Sequence, residues 1–253
     1  MLRRKLYVIS TIVVLSILAI LVAYTNTRVS RNSIEERYQK CIDIYLGLMN
    51  YTTLYDCWVP AYSVDKNNSR CLSWRYLICS LISTPNPEFD IHQSWDSIEN
   101  ITRYNQYRKL HLTYGYEYFN FCNTKASSFF DETSNIYAIN CPDAAFDKYN
   151  KNDWKNFPDN LILFIEINER KIHWLAPIDY EEIVASHYKD PLEFGTDKQG
   201  FFIVFYDGTV YYMVKDTPCE VIQQFFTIKK ARISNRKTLE PYILRKFERS
   251  SSL

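Results

Sequence analysis

The hydrophobic pattern of the chain begins with one long apolar run. Arg3, Arg4 and Lys5 precede nineteen uncharged, mostly apolar residues, 6–24. As a helix this run would be about 28 Å long, close to the ~30 Å hydrocarbon core of a bilayer. The basic residues before it predict a cytoplasmic N-terminus, residues 1–5, and an exported body. We therefore expect a transmembrane helix over 6–24, in a single-pass protein of the inner membrane whose main domain is periplasmic or otherwise extracytoplasmic.

A cleaved signal peptide is the alternative interpretation of this run. The apolar region of a signal peptide is about 7–15 residues long and ends in a small-residue site of the A-x-A type. Here the run is longer, and Leu21 stands two residues before Ala23. A retained anchor fits this pattern better, which makes the lipid bilayer the first predicted partner.

Beyond the anchor, residues recur at steps of four and three, the spacing of one face of a helix. Ser33 followed by Glu36 resembles a capping box, so one interpretation is a new helix that begins near residue 33. The other is a single helix of about fifty residues, formed by the anchor and this stripe together. The stripe consists of Ile34, Tyr38, Cys41, Tyr45, Leu48, Thr52 and Tyr55.

Short helices are predicted next, followed by strands. Ser73 is placed to cap a helix with Trp74, Leu77, Ile78 and Leu81 on one side. A second helix over 94–109 carries Ile98, Ile101 and either Tyr104 or Asn105 on one face. From Leu110 the period changes to two. Strands are therefore predicted over 110–121, around Ile136, and over 160–167, with 171–175 returning as the partner of 160–167.

Two β-prone runs, 201–206 and 209–214, meet at Asp207–Gly208. Asp-Gly at such a junction predicts a hairpin with a type I′ turn, which requires positive φ at both central residues. Because the first run is apolar on both faces, we expect a central strand that is covered by the preceding helix.

The last predicted helix begins at Thr217, which is an N-cap candidate with Pro218 and Glu220 after it. Its apolar face is predicted to consist of Val221, Ile222, Phe225 and Phe226. The fold class that follows is α+β: a long N-terminal helix packed on a mainly antiparallel sheet, with short inserted helices. We assign the main domain to residues 25–228.

Residues 229–253 form a basic C-terminal tail with eight Lys or Arg and two Glu. The tail has little periodicity, and we expect it to extend beyond the packed domain as a solvated end. The alternative is that it binds anionic lipid headgroups or an acidic envelope polymer. The whole chain is balanced, with 30 basic and 29 acidic residues, which argues against nucleic acid as a partner.

Residues with catalytic or ligand-binding chemistry form no recognisable motif. The four histidines, His92, His111, His173 and His187, lack metal-ligand spacing, so neither a metal nor a cofactor is predicted. Glu166 stands in an apolar strand as a candidate buried acid with a raised pKa. The alternatives for Glu166 are a cross-strand partner such as Lys171 or Arg170, or a position that faces solvent.

The seven cysteines contain no Cys-x-x-Cys. An exported location permits disulfides, and proximity in sequence suggests Cys57–Cys71 and Cys122–Cys141 as pairs. The connectivity stays open at this point, because spacing alone does not determine it. An odd number leaves at least one thiol unpaired within the chain.

The order of segments resembles a family of prepilin-like proteins of unknown function, abundant in planctomycete bacteria and marked by a His-x9-Asp-Gly motif. The stretches that carry the resemblance are "YQKCIDIYLGLMNYTTLYDCWVPAY", "LSWRYLICSLI", "FDIHQSWDSIEN", "YAINCPDAAF", "NLILFIEINERKIHWLAPIDY" and "GFFIVFYDGTVYYM". The resemblance implies a pilin-like fold, and Cys41 and Cys122 fall where the family also has Cys.

Two departures from that family affect what the resemblance implies. Asp197 stands ten residues before Asp207, where the motif would have His, so the motif positions here are Asp197, Asp207 and Gly208. The N-terminus also lacks the Gly-Phe-Thr-Leu-x-Glu processing signature. Peptidase processing and filament assembly are therefore not expected, while membrane anchoring remains.

The leading functional hypothesis is a membrane-anchored, extracytoplasmic, pseudopilin-like structural or interaction protein without catalytic residues. Its expected partners are other pilin-like or envelope proteins, and no small-molecule ligand is specified. One alternative is a glycan-binding module that uses Trp74, Trp95 and Trp174. The other is an anchored hydrolase that uses Glu166 or an Asp.

Overall fold

The computed structural model describes residues 34–82, 88–111, 133–147, 152–166, 172–179 and 200–247. The chain divides into two units, residues 1–40 and 41–253. In the first unit, the described residues 34–40 are helical. The second unit contains the features that follow.

Nine strands are present in the described part of the chain. They are β1 (Tyr62–Val64), β2 (Arg70–Ser73), β3 (Thr133–Ser134), β4 (Ile136–Ala138), β5 (Ile162–Glu166), β6 (Ile172–His173), β7 (Gly200–Phe205), β8 (Val210–Val214) and β9 (Ile243–Phe247). Five of them form one antiparallel sheet in the order β4-β5-β7-β8-β9. The middle strand, β7, is buried along its whole length, which confirms the predicted central strand.

The remaining strands form two small antiparallel pairs, β1–β2 and β3–β6. The prediction that 171–175 pairs with the strand at 160–167 is wrong. Both edges of β5 are occupied, by β4 and by β7, so β6 pairs with β3 instead, with His173 opposite Thr133. The class is nevertheless α+β with a mainly antiparallel sheet, as predicted.

The described residues of the second unit contain two longer helices and three short ones. They are α1 (residues 41–55), α2 (Trp74–Cys79), α3 (Ile98–His111), α4 (Cys219–Gln223) and α5 (Ile228–Ile233), with 3-10 turns at Trp154–Asn156 and Arg236–Tyr242. On α1 the predicted stripe is buried at Cys41, Tyr45, Leu48 and Thr52. Tyr55 is an exception, because it is exposed and packs on the ring of Tyr51.

The predicted helix starts have different outcomes. Ser73 is confirmed as the N-cap of α2, since its Oγ accepts a hydrogen bond from the backbone N–H of Arg75. Thr217 is not an N-cap. Its hydroxyl donates back to the carbonyl of Val214 at 2.6 Å, and the helix begins two residues later with Pro218 at the cap.

Helix α3 buries only part of its predicted apolar face. Tyr104 is buried, as predicted, but Ile98 is 86% exposed, and Asn100, which was not assigned to that face, is buried. The helix also continues through His111, so the start of the strand predicted over 110–121 is helical, and residues 112–121 lie outside the described residues.

Apolar side chains cover both faces of the central sheet. On one face, side chains of β4, β5, β7 and β8 meet those of α4 and the C-terminal segment, and Ile243 at the start of β9 packs against them. The buried members include Tyr137, Ile165, Ile203, Phe205, Tyr211, Met213, Ile222, Phe225 and Leu239. On the other face, the indole of Trp74 lies 6.3 Å from the ring of Phe164 and 5.2 Å from that of Phe146. The sheet is therefore the middle layer of the core.

Residues 229–247 are part of this fold, which corrects the prediction that the segment 229–253 extends beyond the domain; residues 248–253 lie outside the described residues. Strand β9 pairs with β8 along the edge of the sheet. Ala231, Leu239 and Phe247 are buried. The sequence did not indicate that this segment packs in the domain, because its apolar residues are distributed over a helix, a 3-10 turn and a strand and follow no single period.

The predicted transmembrane helix, residues 6–24, lies outside the described residues. In the ranges that are described, no helix is both long and apolar enough to cross a membrane. A span needs about 20 consecutive apolar residues, and these helices contain no such run. This finding contradicts the prediction of a single-pass, pilin-like membrane protein.

Candidate functional site

The turn between β1 and β2 is shaped by one carboxylate. Asp65 Oδ1 accepts hydrogen bonds from the backbone N–H groups of Asn67, at 2.8 Å, and Ser69, at 2.7 Å. Between them, Asn68 adopts a left-handed conformation with φ of 62°, which Asn tolerates better than most residues. The hairpin tip therefore has a defined shape.

The loop before α3 is held by the buried amide of Asn100. Its Oδ1 accepts from the N–H of Asp90 at 2.8 Å, and its Nδ2 donates to the carbonyls of Asp90, Gln93 and Ser94. A buried amide whose oxygen and nitrogen are both hydrogen-bonded fixes the chain around it. This role explains why a polar residue occupies the buried face of α3.

The hairpin and the loop are joined by further hydrogen bonds. Ser63 Oγ donates to the carbonyl of Ile91 at 2.7 Å and accepts from the N–H of Leu72 at 3.0 Å. The Nδ1 atom of His92 lies 3.3 Å from the carbonyl oxygen of Val64. The two segments therefore form one continuous surface.

An open pocket of about 620 Å³ lies at this junction, lined by Val64, Asp65, Lys66, His92 and Gln93. Val64 is 37% exposed, and Ile91, which precedes His92 in the loop, is 39% exposed. We call Val64, Asp65, Lys66, Ile91, His92 and Gln93 the hairpin–loop surface. It combines apolar contact area with a carboxylate, an ammonium, an imidazole and an amide.

Aromatic and thiol groups of the hairpin and the loop are packed or hydrogen-bonded to their neighbours. The Trp95 ring stacks on the buried His173 ring at 4.6 Å, and the backbone N–H of Trp95 donates to the carbonyl of Cys71. The Cys71 thiol donates to the carbonyl of Ser69, and burial raises its pKa. These packed groups favour a structural role for Trp95, His173 and Cys71.

The Asp207–Gly208 motif forms the predicted hairpin corner, with a different turn. Of the two motif residues, Gly208 alone has a positive φ, at 85°. The Gly208 N–H donates to the Phe205 carbonyl, and the Phe205 N–H donates to the Thr209 carbonyl. This pattern is a type I turn followed by a left-handed glycine, not the predicted type I′ turn. Asp207 Oδ1 accepts from the Thr209 N–H, which accounts for its place in the corner.

The second carboxylate oxygen of Asp207 pairs with Arg236. Its Oδ2 lies 2.9 Å from Arg236 Nη1. The same guanidinium lies 4.0 Å from the centre of the Phe205 ring and donates to the carbonyl of Asp159. Asp207 therefore ties the hairpin to the C-terminal segment. Asp197, the other motif position, lies outside the described residues.

Glu166 is buried at the end of β5. Its Oε2 accepts from the Phe202 N–H at 3.1 Å and its Oε1 from the Asn135 amide at 3.3 Å. The solvent-facing alternative for this residue is wrong, and its alternative partners Arg170 and Lys171 lie outside the described residues. The carboxylate connects strands of the sheet.

Sequence reasoning missed the most buried ionic group of the described residues. Arg75 donates to Asp179 Oδ1 at 2.9 Å and to the carbonyl of Ile136, while Asp179 Oδ1 also accepts from Trp74 Nε1 and the Ala138 N–H. Burial raises the pKa of Asp179 to about 6, although Arg75 and the other donors lower it. Because Arg75 and Asp179 are 104 residues apart in the chain, no local sequence pattern indicates that they pair.

The residues predicted for other functions are dispersed. Trp74 and Trp174 are buried, so the exposed aromatic row of a glycan-binding face is not formed by them. His92 lines the pocket and His173 is buried, whereas the His111 side chain and His187 lie outside the described residues. No group of His, Cys, Asp and Glu in the described ranges has the arrangement of a metal site.

The predicted Cys57–Cys71 disulfide is not formed, since both residues are thiols. Cys71 is fixed in β2 with its thiol directed to the Ser69 carbonyl, which accounts for the absence of this bridge. The Cys122–Cys141 pair stays a prediction, because Cys122 lies outside the described residues.

Comparison with protein-family models, curated proteins and solved structures gives no match to this chain. The prepilin-like resemblance is therefore neither supported nor tested by relatives. What the chain does has to be inferred from the geometry of the described residues.

Proposed function

We propose that this chain is a structural or interaction protein that binds a polypeptide segment through its hairpin–loop surface. The observation that carries the proposal is the hydrogen bonding of this surface. Asn100 holds the loop, Asp65 shapes the hairpin tip, and Ser63 joins the two. A surface that is already ordered loses little conformational entropy when a partner binds.

The chemistry of the surface fits a polypeptide partner. Val64 and Ile91 offer a small apolar area, and Asp65, Lys66 and His92 surround it with charge and hydrogen-bonding groups. An apolar centre with a polar rim is the usual anatomy of a non-obligate protein interface. The expected partner inserts one apolar side chain against Val64 in the pocket and offers polar groups to Asp65, Lys66 and His92.

The other two hypotheses lack comparable support. Hydrolysis through Glu166 would need its carboxylate to reach a substrate, and that carboxylate is buried and bound to the Phe202 N–H. Glycan binding would need accessible rings, and Trp74 and Trp174 are in the core. The proposal therefore assigns no catalytic step to this chain.

Site-specific photo-crosslinking in the source cells tests the proposal. A benzophenone amino acid replaces Gln93 in the full chain, and the same amino acid replaces Ile233 in a control chain. Both positions are exposed, but Ile233 lies on α5 outside the hairpin–loop surface.

We expect a discrete protein adduct from position 93 that is at least tenfold weaker from position 233. Adducts of equal pattern and yield at both positions would contradict the proposal, as would the absence of any adduct from position 93. Circular dichroism of both chains verifies that the replacements leave the fold intact.

A further inference from the structure

The sequence contains three Asn-x-Ser/Thr triplets with a non-proline middle residue. They are Asn50–Thr52, Asn67–Ser69 and Asn100–Thr102. This triplet is the acceptor pattern for N-linked glycans, and acceptors that are used lie on surface loops. The structure separates the three by their accessibility.

The triplet Asn67–Ser69 lies in the turn between β1 and β2. Asn67, Asn68 and Ser69 are all exposed. Asp65 Oδ1 holds the backbone N–H groups of Asn67 and Ser69, so the turn projects the Asn67 side chain without using its amide. Within the described ranges, the Asn67 Nδ2 and the Ser69 hydroxyl make no hydrogen bond.

The other two triplets are unavailable in the folded chain. Asn50 and Thr52 lie within α1, where Thr52 is buried and its hydroxyl donates to the Met49 carbonyl at 2.8 Å. Asn100 is fully buried, and its amide holds the loop before α3. These two triplets serve as internal controls.

We propose that Asn67 is an N-glycosylation site, and that the donor is an oligosaccharide carried on a polyprenyl diphosphate. A bond forms between Asn67 Nδ2 and the anomeric carbon of the first sugar, while the bond from that carbon to the diphosphate oxygen breaks. The polyprenyl diphosphate leaves with the electron pair, and the amide loses one proton. The transfer involves no oxidation or reduction.

This modification is independent of the proposed polypeptide binding. Asn67 does not line the pocket, whose hairpin residues are Val64, Asp65 and Lys66. Either property can therefore fail without the other.

In vitro transfer to the purified, folded, full-length chain tests the proposal. The reaction contains an oligosaccharyltransferase and a polyprenyl-diphosphate donor that carries two N-acetylglucosamine residues. An acceptor peptide in the same tube verifies that the enzyme is active. Intact mass and peptide fragmentation then give the number and position of the glycans.

We expect one glycan per chain, located on Asn67. Asn67→Gln and Ser69→Ala should each reduce occupancy at least tenfold, while Ser69→Thr and Asn68→Gln should retain it. Failure to modify the wild-type chain while the peptide is modified overturns the proposal. Transfer to Asn50 or Asn100 in preference to Asn67 overturns it as well.

Discussion

The Oδ1 atom of Asp179 lies 2.9 Å from Nη2 of Arg75, and neither side chain is more than 2% exposed. Arg75 also donates to the carbonyl of Ile136, and Asp179 also accepts from the N–H of Ala138. The pair therefore fastens α2 and the segment at residue 179 to strand β4. The other carboxylate oxygen, Oδ2, is buried without a hydrogen bond among the described residues.

Asp179→Ala should be strongly destabilising, because it leaves the Arg75 charge buried without its counter-charge. Loss of one partner of a buried pair typically costs about 3–5 kcal/mol. Urea unfolding at pH 7 measures the loss. Lys155→Ala is the control, since it breaks an ion pair with Asp56 in which the side chains are 63% and 78% exposed. It should cost less than about 1 kcal/mol. Similar losses in the two variants would refute a special role for the buried pair.

The stability contribution of Asp179 should decrease as pH rises from about 4 to about 6. Its pKa is raised from 3.8 to about 6 by burial, so in this window the unfolded chain releases the proton and the folded chain keeps it. The unfolded state then binds fewer protons, and the free energy of unfolding falls with pH by up to about 3 kcal/mol. Below this window the contribution is fully present.

The measurement for this pH dependence is urea unfolding of wild type and Asp179→Asn at several pH values from 4 to 7. The variant cannot ionise at this position, so the other groups cancel in the comparison. The stability of wild type relative to the variant should decline across the window and then level off. A relative stability that increases with pH would mean that the pKa is lowered instead.

Gly208→Ala should destabilise the hairpin corner by about 1–3 kcal/mol, because a residue with a Cβ is strained at φ of 85°. A Cβ at this position would also lie 3.0 Å from two ring atoms of Tyr45. In a Tyr45→Leu background the contact disappears and only the backbone strain remains, so the same substitution should cost less. Thermal or urea unfolding of the four chains measures both quantities. A Gly208→Ala variant as stable as wild type would rule out the left-handed corner.

Leu239→Ala should show that the basic C-terminal segment belongs to the core. Leu239 is fully buried, and truncation of such a leucine costs about 2–5 kcal/mol. Leu244 in β9 is 49% exposed, so Leu244→Ala is the matched control and should cost less than about 1 kcal/mol. Urea unfolding distinguishes the two. Equal small losses would instead favour a segment outside the packed domain.

Local sequence patterns predicted those parts of the fold in which one pattern dominates. The apolar runs on both sides of Asp207–Gly208 specify a hairpin, and Ser73 specifies the start of α2, because each signal lies within a few neighbouring residues. The type of turn was not predictable, since both turns place Gly208 at positive φ and they differ in whether Tyr206 and Asp207 or Asp207 and Gly208 are the central residues. Thr217 has the sequence pattern of an N-cap, but in the structure its hydroxyl donates to the carbonyl of Val214 and does not cap the helix.

The candidate site depends on contacts that the sequence does not display. Ser63 bonds to Ile91, 28 residues away, and His92 reaches Val64 over the same separation. The turn residues Asp65 to Ser69 were recognisable only as a polar loop. Asn100 had no such signal, since a polar residue between the apolar positions of a predicted helix is expected to face solvent, and its role depends on a loop whose path only the structure defines.

The most direct test of the interaction proposal is the yield of the crosslink from position 93 in two further variants. Val64→Asp places a charge at the apolar centre of the hairpin–loop surface, and Ile233→Asp places the same charge on α5. We expect Val64→Asp to reduce the yield at least tenfold and Ile233→Asp to leave it within about twofold of the parent chain, with unchanged circular dichroism in both. Equal yields from the two variants would contradict binding at this surface.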